Sequence, residues 1–150
     1  MIRIVLLLVL AAQCVFCACP NGWKEFKGYC YGFYPEKVNW LVASASCNLY
    51  GGRLPEIDSE QRDQWLLAEL TALKFGETWA GGSARLHVGK WEWVPSLRDF
   101  SRHSHWNAGE PNNVANNEYC LEINQSPAKG WNDKACTEER QFICERRVDA

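Results

Sequence analysis

The segment GEPNNVANNEYC, residues 109–120, sets Glu110, Asn112 and Glu118 around Pro111, and the later GWND adds Asn132 and Asp133. Mixed carboxylate and amide oxygens of this kind suit a hard cation such as Ca2+, which takes about six to eight of them at roughly 2.3–2.6 Å. Glu110, Glu118 and Asp133 carry negative charge that offsets the ion's two positive charges, and the backbone carbonyl of Asp133 is one more oxygen on offer. No D-x-D-x-D-G register is present, so the stretch is not an EF-hand. A solvated polar turn has the same composition, and the residues alone leave that reading level with a cation site. Catalysis has less support. His87, His103 and His105 have neither a paired nucleophile nor zinc spacing and read as ordinary loop residues, and no Ser-His-Asp or Cys-His arrangement stands out. Asn124-Gln125-Ser126 has the form of a glycosylation acceptor, with Pro127 directly after it weakening the signal.

These side chains need a scaffold, and 150 residues allow one domain with a genuine core. The net charge of −2 gives no basic patch for nucleic acid or anionic membrane. At the N-terminus Arg3 precedes an apolar run over 4–12 and then small residues. That is the layout of a secretory signal peptide over 1–17, cleaved after residue 17 or 18, and the run is too short to span a bilayer. With no later apolar run long enough to cross a membrane, a secreted, extracellular domain over 18–150 is expected. Of the eight cysteines, cleavage after Cys17 leaves Cys19, Cys30, Cys47, Cys120, Cys136 and Cys144. Six suit an oxidising compartment, and they allow 15 pairings among which spacing alone does not choose.

Along the chain, residues 19–34 read as short aromatic strands punctuated by glycine. Asn39 is placed to cap a helix over 40–50 that Gly51-Gly52 ends, with Ala43 and Cys47 on its inner face. A second helix is predicted after Asp58-Ser59, running to about Leu73 with Trp65, Leu66, Leu70 and Leu73 inward. TWAGGSARL and KWEWVP are β-like, and Trp91 and Trp93 alternate with Glu92 to face the core. A long irregular stretch over 95–118 follows, of a length that in a compact domain usually serves function. Trp106 within it is expected to pack beneath the loop and not to stack on a ligand. Three strand-like pieces, YCLEI, GWND and RQFICERR, close the chain.

Taken together, Cys19-Pro-x-x-Gly-Trp23, Cys30-Tyr31, Cys47 with Gly51-Gly52-x-Leu54, WAGG at 79–82, Glu110-Pro111-Asn112, Cys120, Trp131-Asn132-Asp133, Cys136 and Phe142-x-Cys144-Glu145 resemble the C-type lectin-like domain family, in its long form. The resemblance covers the whole expected mature chain. It implies an α+β fold with two helices flanking two small antiparallel sheets beneath a long loop, and no enzymatic activity. It also implies the pairing Cys19–Cys30, Cys47–Cys144 and Cys120–Cys136, each bridge contributing about 2–4 kcal/mol.

The resemblance turns the oxygen-rich stretch into a ligand set. Glu110, Asn112, Glu118, Asn132 and Asp133 match the family's calcium and sugar site one by one, with Pro111 following a cis bond. Such a site holds one Ca2+ and binds vicinal sugar hydroxyls. In the family Glu-Pro-Asn goes with mannose, fucose and N-acetylglucosamine, whose adjacent hydroxyls are equatorial, and Gln-Pro-Asp with galactose. A second, auxiliary calcium site of many relatives is expected to be lost, because its positions correspond to Ala84, Val88, Asn113 and Tyr119, with only Glu118 kept. The implied partners are glycans on microbial or cell surfaces. No collagen-like or coiled-coil stretch is present, so avidity would come from a homodimer built through the domain itself. The same fold also serves as venom subunits and antifreeze proteins, a protein- or ice-binding alternative.

Overall fold

The computed structural model describes residues 18–126 and 128–149. The expected leader over 1–17, with Cys14 and Cys17, lies outside the described residues, as does Pro127.

The chain order is β1 (Lys24–Phe26), β2 (Tyr29–Val38), α1 (Trp40–Leu49), α2 (Glu60–Ala72), β3 (Thr78–Ser83), β4 (Glu92–Trp93), β5 (Cys120–Asn124), β6 (Gly130–Lys134) and β7 (Arg140–Arg147). Both predicted helices start where a short polar side chain can satisfy an orphan amide. Asn39 Oδ1 accepts from Val42 N–H at 3.0 Å, and Ser59 Oγ accepts from Arg62 N–H at 3.4 Å. Helix α1 ends at Gly51, whose φ of +72° a side chain would resist. A Cβ on the neighbouring Gly52 would sit 2.3 Å from the Glu145 carbonyl oxygen.

The predicted stripe on α2 needs correction. Leu66, Leu67 and Leu70 are buried together with Arg62 and Asp63, whereas Leu73 lies beyond the helix and is exposed. Trp65 is partly buried, stacked 4.6 Å from Phe26.

The strands form one sheet in the order β1-β2-β7-β3-β5-β6, with β4 on β3. The two expected antiparallel ladders are both present, β1-β2-β7 and β4-β3-β5-β6, and a short parallel pairing of β3 with β7 joins them. The three expected disulfides are formed, Cys19–Cys30, Cys47–Cys144 and Cys120–Cys136, and no described cysteine is free. Cys47–Cys144 ties α1 to β7, and Cys120–Cys136 closes the base of the β5–β6 hairpin.

One buried cluster (Tyr31, Ile57, Leu66, Leu70, Trp93, Leu121, Ile123, Trp131, Ile143) lies under α2, and a second (Trp40, Ala43, Leu54, Trp79, Phe142) under α1. Among the described residues, no helix is long and apolar enough to cross a membrane.

Candidate functional site

The long loop rests on an aromatic floor. Trp93 and Phe100 stack at 4.2 Å, Trp91 meets Trp106 at 4.8 Å, and Trp106 meets Trp131 edge-on at 5.9 Å. Trp106 therefore packs under the loop, as its sequence context suggested. The backbone adds a short parallel bridge: Trp131 N–H donates to the His105 carbonyl at 2.7 Å and Asn107 N–H to the Trp131 carbonyl at 2.9 Å. His103 and His105 are not ordinary loop residues. His103 Nε2 lies 3.2 Å from Asp63 Oδ2, His105 Nδ1 contacts the same oxygen, and Trp131 Nε1 donates to Asp63 Oδ1 at 3.0 Å. Buried Asp63, on the first turn of α2, thus holds both the loop and β6. Its histidine partners lie about 40 residues away in sequence, where no local pattern could reveal them.

Further along the loop the Glu110–Pro111 bond is cis, as the resemblance implied, and so is Val94–Pro95, which was not foreseen. Three successive amides then point at the acidic side chains. Asn112 N–H is 3.1 Å from both Glu110 Oε2 and Asp133 Oδ1, and Asn113 N–H is 2.7 Å from Asp133 Oδ2. Val114 N–H is shared between Asn112 Oδ1 at 3.0 Å and Glu118 Oε2 at 3.2 Å. Four of the five predicted ligands, Glu110, Asn112, Glu118 and Asp133, are therefore brought together. The fifth, Asn132, is engaged elsewhere. It pairs across the ladder with Glu122, and its Nδ2 donates to Glu122 Oε1 at 2.8 Å. Arg140 Nε holds the other oxygen of Glu122 at 2.7 Å.

The electrostatics of this cluster are unbalanced. The Glu110 carboxyl is held above the ordinary glutamate value, first by burial and then by the Asp133 carboxyl bonded to it and the nearby charge of Glu118. A carboxyl set among acidic neighbours is costly to ionise unless a cation joins it. The positive partner present is Lys134, whose Nζ lies 2.9 Å from Glu118 Oε1. Sequence reading missed it, although a lysine directly after Trp-Asn-Asp is a cation set beside an anionic cluster.

Among the described residues, no group of three Asp, Glu, His or Cys side chains is already arranged to hold a metal ion. The carboxylates are spaced by the amides they accept from, so a cation would take over oxygens now bound to N–H groups. The donor set itself fits Ca2+: three carboxylates and one amide oxygen, all hard, on one loop and one strand.

The positions that the resemblance assigns to an auxiliary site carry no such set of side chains. Ala84, Asn113, Glu118, Tyr119 and Asp133 line a cavity of about 220 Å3 with Trp91 and Pro111, whereas exposed Val88 lines a different cavity. There the loop is held by protein groups. Tyr119 Oη donates to the Asn116 carbonyl at 2.7 Å, and Asn113 Oδ1 accepts from Glu118 N–H at 3.0 Å. Asn124, the glycosylation candidate, is half-buried at the end of β5.

The family model for the lectin C-type domain matches residues 36–146, and the chain belongs to that family, whose members are binding proteins and not enzymes. A perlucin-like protein of Mytilus galloprovincialis is 36% identical over 130 residues, covering 84% of this chain and 81% of its own. A C-type lectin of Thrasops jacksonii, a lectoxin, is 36% identical over 138 residues, covering 87% and 85%. Of solved structures, the mouse scavenger receptor C-type lectin carbohydrate-recognition domain superposes with a TM-score of 0.77 at 29% identity, over 86% of this chain and 96% of that one. The herring type II antifreeze protein does so equally well, at 0.77 and 29%, over 86% and 98%.

Proposed function

We propose that the protein is a secreted, calcium-dependent lectin that binds mannose-, fucose- or N-acetylglucosamine-type glycans on microbial or cell surfaces. The observation that carries this reading is the convergence of Glu110, Asn112, Glu118 and Asp133 on three consecutive loop amides. A bound Ca2+ would supply the coordination positions that two vicinal sugar hydroxyls fill. The chain's residues supply the rest. Glu110 and Glu118 accept from those hydroxyls, and Asn112 donates to them. Asn132 joins as the second amide donor on releasing Glu122. The Glu110-Pro111-Asn112 order sets acceptor and donor on the sides that suit equatorial hydroxyl pairs, and the auxiliary calcium site is lost.

A cow CD23 carbohydrate-recognition domain crystallised in the presence of a GlcNAc2Man3 oligosaccharide has the same fold at a TM-score of 0.78 and 27% identity, which supports a glycan ligand. The equal likeness to the herring antifreeze protein supports ice binding as the second reading. A glycan array in calcium and in excess chelator separates them. We expect mannose-type signals that chelator removes. Binding that survives chelator at neutral pH, or thermal hysteresis without glycan binding, sinks the lectin reading.

A further inference from the structure

Lys134 has no place in the ligand set, yet its ammonium sits on a ligand. Its backbone is fixed: Lys134 pairs with Cys120 in the β5–β6 ladder, Tyr119 N–H donates to its carbonyl at 3.2 Å, and the Cys120–Cys136 bridge closes the hairpin beside it. From there Nζ reaches Glu118 Oε1 at 2.9 Å, with the lysine side chain 32% exposed and the glutamate 7%. The other nearby carboxylate, Glu122, is already taken by Arg140 and Asn132. Glu118's second oxygen accepts from Val114 N–H. Both oxygens of this buried ligand carboxylate are therefore engaged, one by a unit positive charge tethered to the protein.

We propose that Lys134 is a built-in competitor for calcium, occupying Glu118 in the ion-free protein and weakening calcium affinity. The inference rests on the calcium-site reading above. Two effects act in the same direction. Calcium must displace or share Glu118 Oε1, and the displaced ammonium stays tethered within a few ångströms of a divalent ion of like charge. Partly exposed ion pairs are weak, and the like-charge contact adds to the loss, so the combined effect is about tenfold in affinity. A strong calcium site would be saturated everywhere outside a cell. A weakened one binds and releases over the range in which free calcium changes, and lets sugar binding follow it.

The test is calorimetric calcium titration of wild type, Lys134→Met, Lys134→Gln and Lys134→Arg, with melting temperatures recorded in chelator and in calcium. Removing the charge should tighten calcium about tenfold in both neutral variants. It should also enlarge the calcium-induced rise in melting temperature, since a ligand that binds only the folded state stabilises it by RT ln(1 + L/Kd), L being the free ligand concentration. The arginine variant should stay within about twofold of wild type, because it keeps the charge. A lysine that merely supports the loop would, on removal, loosen calcium. Unchanged or weaker calcium binding in the neutral variants, with wild type binding normally, overturns this inference and leaves the lectin reading standing. A wild type that binds no calcium overturns both.

Discussion

Two carboxylate clusters in this fold are built to different rules. The first gathers Glu56, Glu145 and Asp58, and it answers them with three arginines. Arg53 contacts Glu56 at 2.8 Å and Glu145 at 3.0 Å, Arg62 contacts Asp58 at 3.2 Å, and Arg98 reaches both Glu56 and Asp58. Charge is matched one for one, and the planar guanidinium forks suit permanent, partly buried pairing. The second, on the long loop and β6, gathers Glu110, Glu118 and Asp133 and answers them with a single lysine and a row of amides. It is short of two positive charges, the charge of one divalent ion. The arginine-paired cluster locks α2, the 94–98 loop and β7 together. The loop cluster keeps unpaired negative charge, and that contrast with a structural ion network is what favours it as the proposed calcium site.

Breaking the arginine-paired cluster should have the largest effect. Arg62→Met leaves the fully buried Glu145 with one arginine fewer, and removing one partner of a buried pair costs about 3–5 kcal/mol. Chemical denaturation should report that loss, with calcium stoichiometry unchanged in the protein that remains folded. The loop cluster should respond in the opposite way. Asp133→Asn removes a negative charge and should weaken calcium at least about a hundredfold, with a smaller loss of stability in chelator than Arg62→Met, since relief of the repulsion with Glu110 offsets part of the cost of leaving one of the Asn112 and Asn113 N–H groups without its acceptor. If Asp133→Asn leaves calcium affinity intact, or destabilises the protein in chelator as much as Arg62→Met does, the division of labour is wrong.

A smaller effect is expected on sugar choice. Glu110→Gln with Asn112→Asp keeps Pro111, the loop length and the net charge, but it exchanges which side offers the acceptor and which the amide. Mannose should weaken and galactose gain, by roughly 1–3 kcal/mol for each hydroxyl left badly paired. Inhibition by free mannose against free galactose on both proteins measures it. A wild type that already prefers galactose removes the assignment.

Sequence legibility followed the range of each interaction. Asn39, Ser59 and Gly51 act on amides and dihedrals a few residues away, and both helix limits were readable within a residue or two. The candidate ligands were named as a set because they resemble a family pattern, while which four of them meet is a matter of strand register. The ladder that sets Glu122 opposite Asn132 holds that amide away from the other four. Leu73 was misjudged because the helix stops at Ala72: the inner face through Asp63, Leu66, Leu67 and Leu70 would continue to residue 73, but there the chain is already at the C-cap and leaves that face. That same Asp63 explains why His103 and His105 looked idle: a hydrogen bond between distant segments leaves no local trace.

The smallest expected effect concerns pH, and it turns on the sign of one shift in each cluster. Burial and its acidic neighbours hold the Glu110 carboxyl above its unfolded value in the calcium-free protein. Burial likewise raises Glu145, against its arginines. A carboxyl raised by folding makes the native state bind its proton more tightly than the unfolded chain does. Its contribution to stability is therefore whole below the unfolded value, about 4.3, and is lost as pH climbs through the raised native one. In chelator, both groups should make stability decline with rising pH across that window. Calcium changes this for Glu110 alone, because the ion binds the ionised carboxylate and displaces the proton. The calcium-induced rise in melting temperature should thus grow from about pH 4.5 to 7, while Glu145 contributes the same slope with or without calcium and cancels in the difference. Solvent screening at half-exposed Glu110 keeps the effect small. Melting curves in calcium and in chelator, taken at half-unit steps, measure it. In Glu110→Gln the pH-dependent part of the difference should shrink. If the wild-type difference is flat across the window, the protons on this loop are not exchanged for calcium, and the loop cluster is a second structural network after all.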